Sequence, residues 1–187
     1  QRAIASGAVK YTLSRGDVAL RELLAEKLRR RNGLAVGPED VVVTTGGTGA
    51  VSAAMTALAR PGDGILLPDI GWPAYEMNAT LVGGRILHYR LLPESGFEPD
   101  LEHLEELAPS ARLLVVNSPS NPTGAVFSRS TAEAILDLAQ RHRLTVISDE
   151  VYEQIVFEGE HVSLGQLDDD GLQLLQRLGI FDAGHLD

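Results

Sequence analysis

The stretch Leu113-Leu114-Val115-Val116-Asn117-Ser118-Pro119-Ser120-Asn121-Pro122-Thr123-Gly124 decides the fold. Its first four residues are uniformly apolar, as a strand buried on both faces must be. The run then breaks into a loop of turn-forming residues. Ser130 to His142 reads as a helix, with Ser128 or Ser130 as its cap. Leu144-Thr145-Val146-Ile147-Ser148 returns as a second strand and ends at Asp149-Glu150. A strand, a helix and another strand form a crossover unit, and such units build parallel sheets.

The same rhythm extends towards the N-terminus. Arg85 to Tyr89 and Ile65-Leu66-Leu67 read as strands, Trp72 to Leu81 as a helix, and Pro99 to Leu107 as a short helix. Val41-Val42-Val43-Thr44-Thr45 is β-branched throughout and is expected to be a further buried strand. Gly46-Gly47-Thr48-Gly49 follows as a turn leading into a small-residue helix from Ala50 to Arg60, which Pro61-Gly62-Asp63 ends. Asp17 to Arg31 places Leu20, Leu23, Leu24 and Leu28 on one helical face, and Gly33 is its stop. The predicted architecture is a three-layer α/β domain with a mostly parallel sheet, unfinished on its C-terminal side. Residues 1–165 are assigned to it. After Gly165 the buried-strand rhythm stops, and residues 166–187 read as a divergent tail around Asp168-Asp169-Asp170-Gly171.

Composition narrows the function classes. The formal net charge of −10 speaks against a nucleic-acid binder. The basic cluster Arg29-Arg30-Arg31 closes a helix, where cations favour the negative dipole end. No run of 18 apolar residues exists to cross a membrane. The absence of cysteine removes disulfides, thiolate metal sites and a cysteine nucleophile. His88, His103, His142, His161 and His185 show no metal-ligand spacing and read as surface or core residues. No metal is expected. The chain opens on Gln1 without Met or a signal-peptide segment, so a cut or processed start is expected; the cytoplasm is the default compartment.

In an open parallel sheet, ligands bind beyond the carboxyl ends of the strands. Three such ends carry chemistry here. At Gly46-Gly47-Thr48-Gly49, glycine lets an anion approach the backbone, and a helix start offers N–H groups with a positive dipole end. The plain alternative is a tight turn without a ligand. Gly47-Thr48-Gly49 with Ser52, and Asp69 at the next strand end, also imitate a dinucleotide fingerprint. A nicotinamide oxidoreductase is therefore a rival, although Ser52 stands where a third glycine belongs. Asn121-Pro122-Thr123-Gly124 alone is a turn, and Ser148-Asp149-Glu150-Val151-Tyr152 alone is only an acid at a strand end.

Taken in order, these pieces together with Tyr11 and Gly71-Trp72-Pro73-Ala74-Tyr75 closely resemble the class I aminotransferase family, over about Tyr11 to Gly165. The resemblance implies pyridoxal 5'-phosphate as cofactor and residues 1–165 as part of the large domain that binds it. It implies that Gly46, Gly47 and Thr48 hold the phosphate, that Trp72 stacks on the pyridine ring and that Asp149 pairs with the ring nitrogen. Asn121 and Tyr152 would donate to the phenolic oxygen. The equivalent of Tyr11 reaches the phosphate of a neighbouring subunit, which implies a homodimer. The implied reaction moves an amino group from an amino acid to a 2-oxo acid, with a lean towards aspartate-type or broad enzymes.

The resemblance fails at one point. The family's Schiff-base lysine follows the stretch matching Asp149 and Tyr152, but this sequence has only Lys10 and Lys27, neither in a matching context. No catalytic residue is therefore assigned, and the expectation is a fragment lacking its anchor and inactive alone. A relic or regulatory module that keeps the cradle without the chemistry is the alternative.

Overall fold

The computed structural model describes Gly7 and residues 11–167, in two compact units divided between Thr44 and Thr45. The expected tail falls almost wholly on residues 168–187, which lie outside the described residues.

The first unit is built on helix α1, Val18–Asn32. The Asp17 side chain caps it by accepting from the Leu20 N–H, and Gly33 ends it at φ 69°, a left-handed conformation suited to glycine. Its buried stripe is Arg21, Ala25, Leu28 and Asn32 rather than the leucine face read from the sequence, and Leu23 is 54% exposed. The shift has a polar cause. The Arg21 guanidinium reaches inward to donate to the Pro38 carbonyl at 2.7 Å. The strand expected at Val41–Thr45 does not form. Val43 N–H donates to Arg15 O, Val41 N–H to Pro38 O, and Val42 stays half-exposed. β-Branched residues favour a strand, but pairing along a neighbour is what makes one.

The second unit holds strands β1 (Gly64–Pro68), β2 (Arg85–Tyr89), β3 (Leu91–Leu92), β4 (Glu98–Pro99), β5 (Leu113–Asn117) and β6 (Thr145–Asp149). Four of them form a parallel sheet in the order β2-β1-β5-β6. The antiparallel pair β3 and β4 stands apart; two-residue strands leave no periodicity to read. The helices are α2 (Gly46–Leu58), α3 (Ala74–Leu81), α4 (Leu101–Leu107) and α5 (Arg129–His142).

Alternation along the strands sorts the core into two layers. Ile65, Leu67, Leu113, Val115 and Ile147 join Val51 and Met55 of α2 and Tyr75 and Ala79 of α3. Leu66, Leu114, Val116 and Val146 point the other way, onto Leu104 of α4 and Ile135, Leu136 and Leu138 of α5. Helices therefore cover both faces, which explains why β1 and β5 are apolar almost throughout and wholly buried. Gly64 is required by space, since a Cβ there would sit 2.1 Å from the Ser110 carbonyl oxygen. Ser128 caps α5 by accepting from Thr131 N–H, and its neighbour Thr131 hydrogen-bonds to Glu98.

Two helix starts differ from the sequence expectation and both matter for the site. The glycines of Gly46-Gly47-Thr48-Gly49 are the first turn of α2 itself, not a turn before it. Trp72 precedes α3, and its carbonyl accepts the Tyr75 N–H at 3.1 Å.

Candidate functional site

The ends of β5 and β6 open into a cleft of about 220 Å³ lined by Gly47, Thr48, Trp72, Tyr75, Asn117, Asn121, Asp149, Val151 and Tyr152. All of these belong to the second unit. On one wall lies the start of α2. The first N–H groups of a helix have no partner within it, and the N-cap Thr45 offers no side-chain bond to this turn. Gly47 and Thr48 thus bring first-turn N–H groups and the positive end of the helix dipole to the cleft. Gly46 enters the turn at φ 75° with open space around it, so the backbone conformation, not crowding, calls for glycine.

Trp72 supplies a flat apolar face. Its ring meets Tyr75 edge-on, with centroids 5.6 Å apart and planes at 90°. Tyr75 is tied in turn to Asp149, the last residue of β6, by a 2.6 Å hydrogen bond from its hydroxyl to Oδ2. The other carboxyl oxygen accepts from Val151 N–H at 3.2 Å. Asp149 is buried. Burial pushes its carboxyl above the ordinary range; the bonds from Tyr75 and Val151 pull it down, and the nearby Glu150 charge adds to the rise. The Tyr75 phenol is raised strongly by burial and then by the Asp149 charge, so it remains a neutral donor.

The loop after β5 carries two cis peptide bonds, Ser118–Pro119 and Asn121–Pro122. Asn121 reaches the cleft from this loop. Tyr152 reaches it from the turn after β6, where Glu153 N–H donates to Glu150 O. That turn is anchored by a buried Glu150–His161 pair at 3.0 Å. Glu150 also accepts from the Ser148 hydroxyl at 2.7 Å and from Leu164 N–H at 3.2 Å. Burial works to raise the Glu150 carboxyl, but the His161 bond and charge, with the Ser148 and Ser163 hydroxyls, outweigh it and hold the group below its usual range.

The structure therefore gathers Gly47, Thr48, Trp72, Asn121, Asp149 and Tyr152 around one cleft, with Gly46 at the head of the adjoining helix. Tyr11 lies in the first unit with its side chain fully exposed. Sequence reasoning misses Tyr75, Asn117 and the Glu150–His161 pair. Tyr75 and Asn117 sit inside the quoted motifs, but a tyrosine on a helical face reads as core and an asparagine before Ser-Pro reads as a turn. His161 follows Glu150 by 11 residues, a spacing with no signature.

Asp69, which by its spacing could contact a ribose, is committed elsewhere. Its N–H donates to Tyr89 O and its Oδ1 accepts from Leu91 N–H at 3.0 Å. Among the described residues, moreover, the glycine turn follows no strand of the sheet. The nicotinamide alternative is not favoured.

Fold and cleft define a class: a three-layer, parallel-sheet domain with a cleft between a helix start and the strand ends. The chain belongs to the aminotransferase class I and II family, which matches residues 1–176. It is 43% identical over 168 residues to the aspartate/prephenate aminotransferase of Thermus thermophilus, covering 89% of this chain and 44% of that protein. It is 39% identical over 163 residues to the arginine–pyruvate transaminase of Pseudomonas aeruginosa, covering 87% and 42%. Among solved structures, the alanine aminotransferase of Pyrococcus furiosus superposes with a TM-score of 0.86 at 36% identity, covering 90% of this chain and 43% of that one. The chain thus spans under half the length of these relatives. The family's enzymes depend on pyridoxal 5'-phosphate, and the match favours the aminotransferase reading over a cradle without chemistry. Among the described residues, no helix is long and apolar enough to cross a membrane.

Proposed function

We propose that the cleft binds pyridoxal 5'-phosphate and that this chain is the cofactor-binding part of an aminotransferase that moves an amino group from an amino acid to a 2-oxo acid. The observation that carries the reading is Asp149: a buried carboxyl, fixed by Tyr75, at the floor of a cleft that also holds a helix start and an indole face. The donor set fits the cofactor. A protonated pyridine nitrogen is the cation that would let a buried carboxyl ionise, because opposite charges at short range stabilise each other. The first-turn N–H groups of Gly47 and Thr48 suit a phosphate dianion, with Gly46 setting the turn.

When bound, the cofactor supplies an electron sink for the α-carbon of an amino acid. The protein's share is positional and electrostatic. Asp149 holds the proton on the ring nitrogen. Asn121 and Tyr152 donate to the phenolic oxygen and favour its ionised form. Trp72 covers one ring face and excludes water from it. Residues 1–165 form the cofactor-binding portion in this reading. Tyr11, fully exposed in the first unit, is available to a neighbouring subunit, which supports a homodimer; a cytoplasmic location is part of the same reading. The relatives named for aspartate, prephenate, arginine and alanine favour an amino acid–2-oxo acid pair without choosing the side chain.

Lys10 and Lys27 are the only lysines, both before Thr45, so the second unit is tested for non-covalent binding. Trp72 is the sole tryptophan and lines the cleft, which makes its fluorescence a site-specific reporter. Titrating the chain with pyridoxamine 5'-phosphate, which has no aldehyde to react with stray amines, should give saturable quenching that Asp149→Ala weakens at least roughly tenfold. Unsaturable quenching, or equal affinity in Asp149→Ala, would overturn the reading.

A further inference from the structure

Two of the proposed ring contacts, Asn121 and Asp149, come from different segments. Asn121 sits in the loop after β5 and Asp149 at the end of β6. The β5–β6 ladder ends at the pair Asn117↔Asp149, and the Ser118 N–H still donates to the Asp149 carbonyl at 3.2 Å, but no backbone bond between the two strands reaches as far as Asn121. One side chain continues the connection. Asn117, only 4% exposed, donates from Nδ2 to the carbonyl of Asp149 at 3.0 Å and to the carbonyl of Pro119 at 3.2 Å. Its Oδ1 accepts the Asn121 N–H at 2.8 Å. Both donors and the acceptor of one amide are thereby used, in a buried setting where each unmet group is costly.

We infer that Asn117 is a positioning residue that fixes Asn121 against Asp149, and so sets the distance between the groups that meet the two polar edges of the cofactor ring. The inference deepens the proposed function and rests on it for the ring, but the clamp itself is a property of the protein. Asn117 is suited to the task because it both donates and accepts. Aspartate has the same shape and can accept from the Asn121 N–H, yet as a carboxylate it places negative charge against two carbonyl oxygens. A side chain that merely filled space would not distinguish the two.

Asn117→Asp therefore separates positioning from packing. In the full chain, hydrogen exchange by NMR reads protection of the Asn121 N–H, and Trp72 fluorescence reads affinity for pyridoxamine 5'-phosphate. At neutral pH the variant should lose Asn121 protection and bind roughly tenfold more weakly than the wild-type chain, the scale of one or two lost hydrogen bonds to buried groups. Both deficits, taken as ratios to wild type at each pH, should shrink as the pH falls through the new carboxyl's titration, because the protonated form regains one donor. Wild-type protection and affinity at every pH would overturn the inference. So would rapid exchange of the Asn121 N–H in the wild-type chain itself, a measurement that needs no folded variant. If the wild-type chain binds no pyridoxamine 5'-phosphate while Asn117→Asp still loses Asn121 protection, the cofactor reading falls and the clamp stands.

Discussion

The Tyr75 hydroxyl lies 2.6 Å from Oδ2 of Asp149, across 74 residues of sequence and inside the layer between α3 and the sheet. The relationship sets the charge state of the cleft. Burial favours the protonated carboxyl, and the Tyr75 bond favours the ionised one. Removing the hydroxyl leaves burial less opposed. In Tyr75→Phe, the Asp149 carboxyl should titrate at higher pH than in the wild-type chain, as read by carbon-13 NMR of the side chain. The affinity for pyridoxamine 5'-phosphate should fall several-fold at neutral pH, with its onset displaced towards higher pH. An unmoved Asp149 titration would mean the bond contributes nothing to the ionised form.

The same carboxyl makes a prediction for stability. Burial raises the folded-state pKa of Asp149 above the ordinary aspartate value, so the folded protein holds its proton more tightly than the unfolded chain does. Its contribution is then fully present below the unfolded value and is lost as pH rises through the folded value. At neutral pH, Asp149 costs stability in the absence of a cation. Asp149→Asn keeps a partner for Tyr75 and for Val151 N–H while removing the charge. It should match or exceed the wild-type chain in urea denaturation at pH 7, lose that advantage in acid, and bind ligand poorly throughout. A variant markedly less stable than wild type at neutral pH would contradict this.

Glu150 has the opposite sign. Its folded-state pKa lies below the ordinary glutamate value, with His161 and the serine hydroxyls overcoming the effect of burial. Its stabilisation is present above the unfolded value and lost as pH falls through the folded one. Glu150→Ala removes the partner of a buried imidazole and should cost about 3–5 kcal/mol at pH 7. The acid limb of the stability profile should flatten at the same time. His161 deepens the effect because its Nδ1 is also buried without a hydrogen-bond partner. A loss below about 1 kcal/mol, the range of surface pairs, would show that the pair does not anchor the Tyr152 turn.

Much of this is legible in the sequence, and the reasons differ by element. The strands β1 and β5 announce themselves because burial on both faces demands apolar residues nearly throughout, whereas β6 is carried by Val146 and Ile147 alone. β2, like β6 at an edge of the four-stranded sheet, mixes Arg85 and His88 with Ile86, Leu87 and Tyr89. Val41–Thr45 misleads because β-branched composition reports propensity, while a strand needs a pairing neighbour. The α1 face is misread because hydrophobic periodicity cannot anticipate an arginine turned inward to a carbonyl. Trp72, Asn121, Asp149 and Tyr152 emerge through motif order. Tyr75 and Asn117 do not, since their roles lie in hydrogen bonds to residues far along the chain or in the next strand, which no local pattern encodes.

The start of α2 yields the last prediction. If the first-turn N–H groups receive the phosphate, the chain must prefer pyridoxamine 5'-phosphate to pyridoxamine, and salt must weaken the preference. Gly47→Pro tests this at a single atom. Proline is tolerated in the first helical turn because its missing N–H has no partner within the helix. The substitution should therefore leave α2 and the thermal midpoint nearly intact while deleting one phosphate donor beside Thr48. A charge-assisted hydrogen bond contributes about 1.5–3 kcal/mol, so the preference for the phosphorylated ligand should fall by roughly ten- to a hundredfold, with pyridoxamine itself bound as before. Equal losses for both ligands would point to a distorted cleft. An unchanged preference would place the phosphate away from this helix and remove one of the two supports of the proposed site.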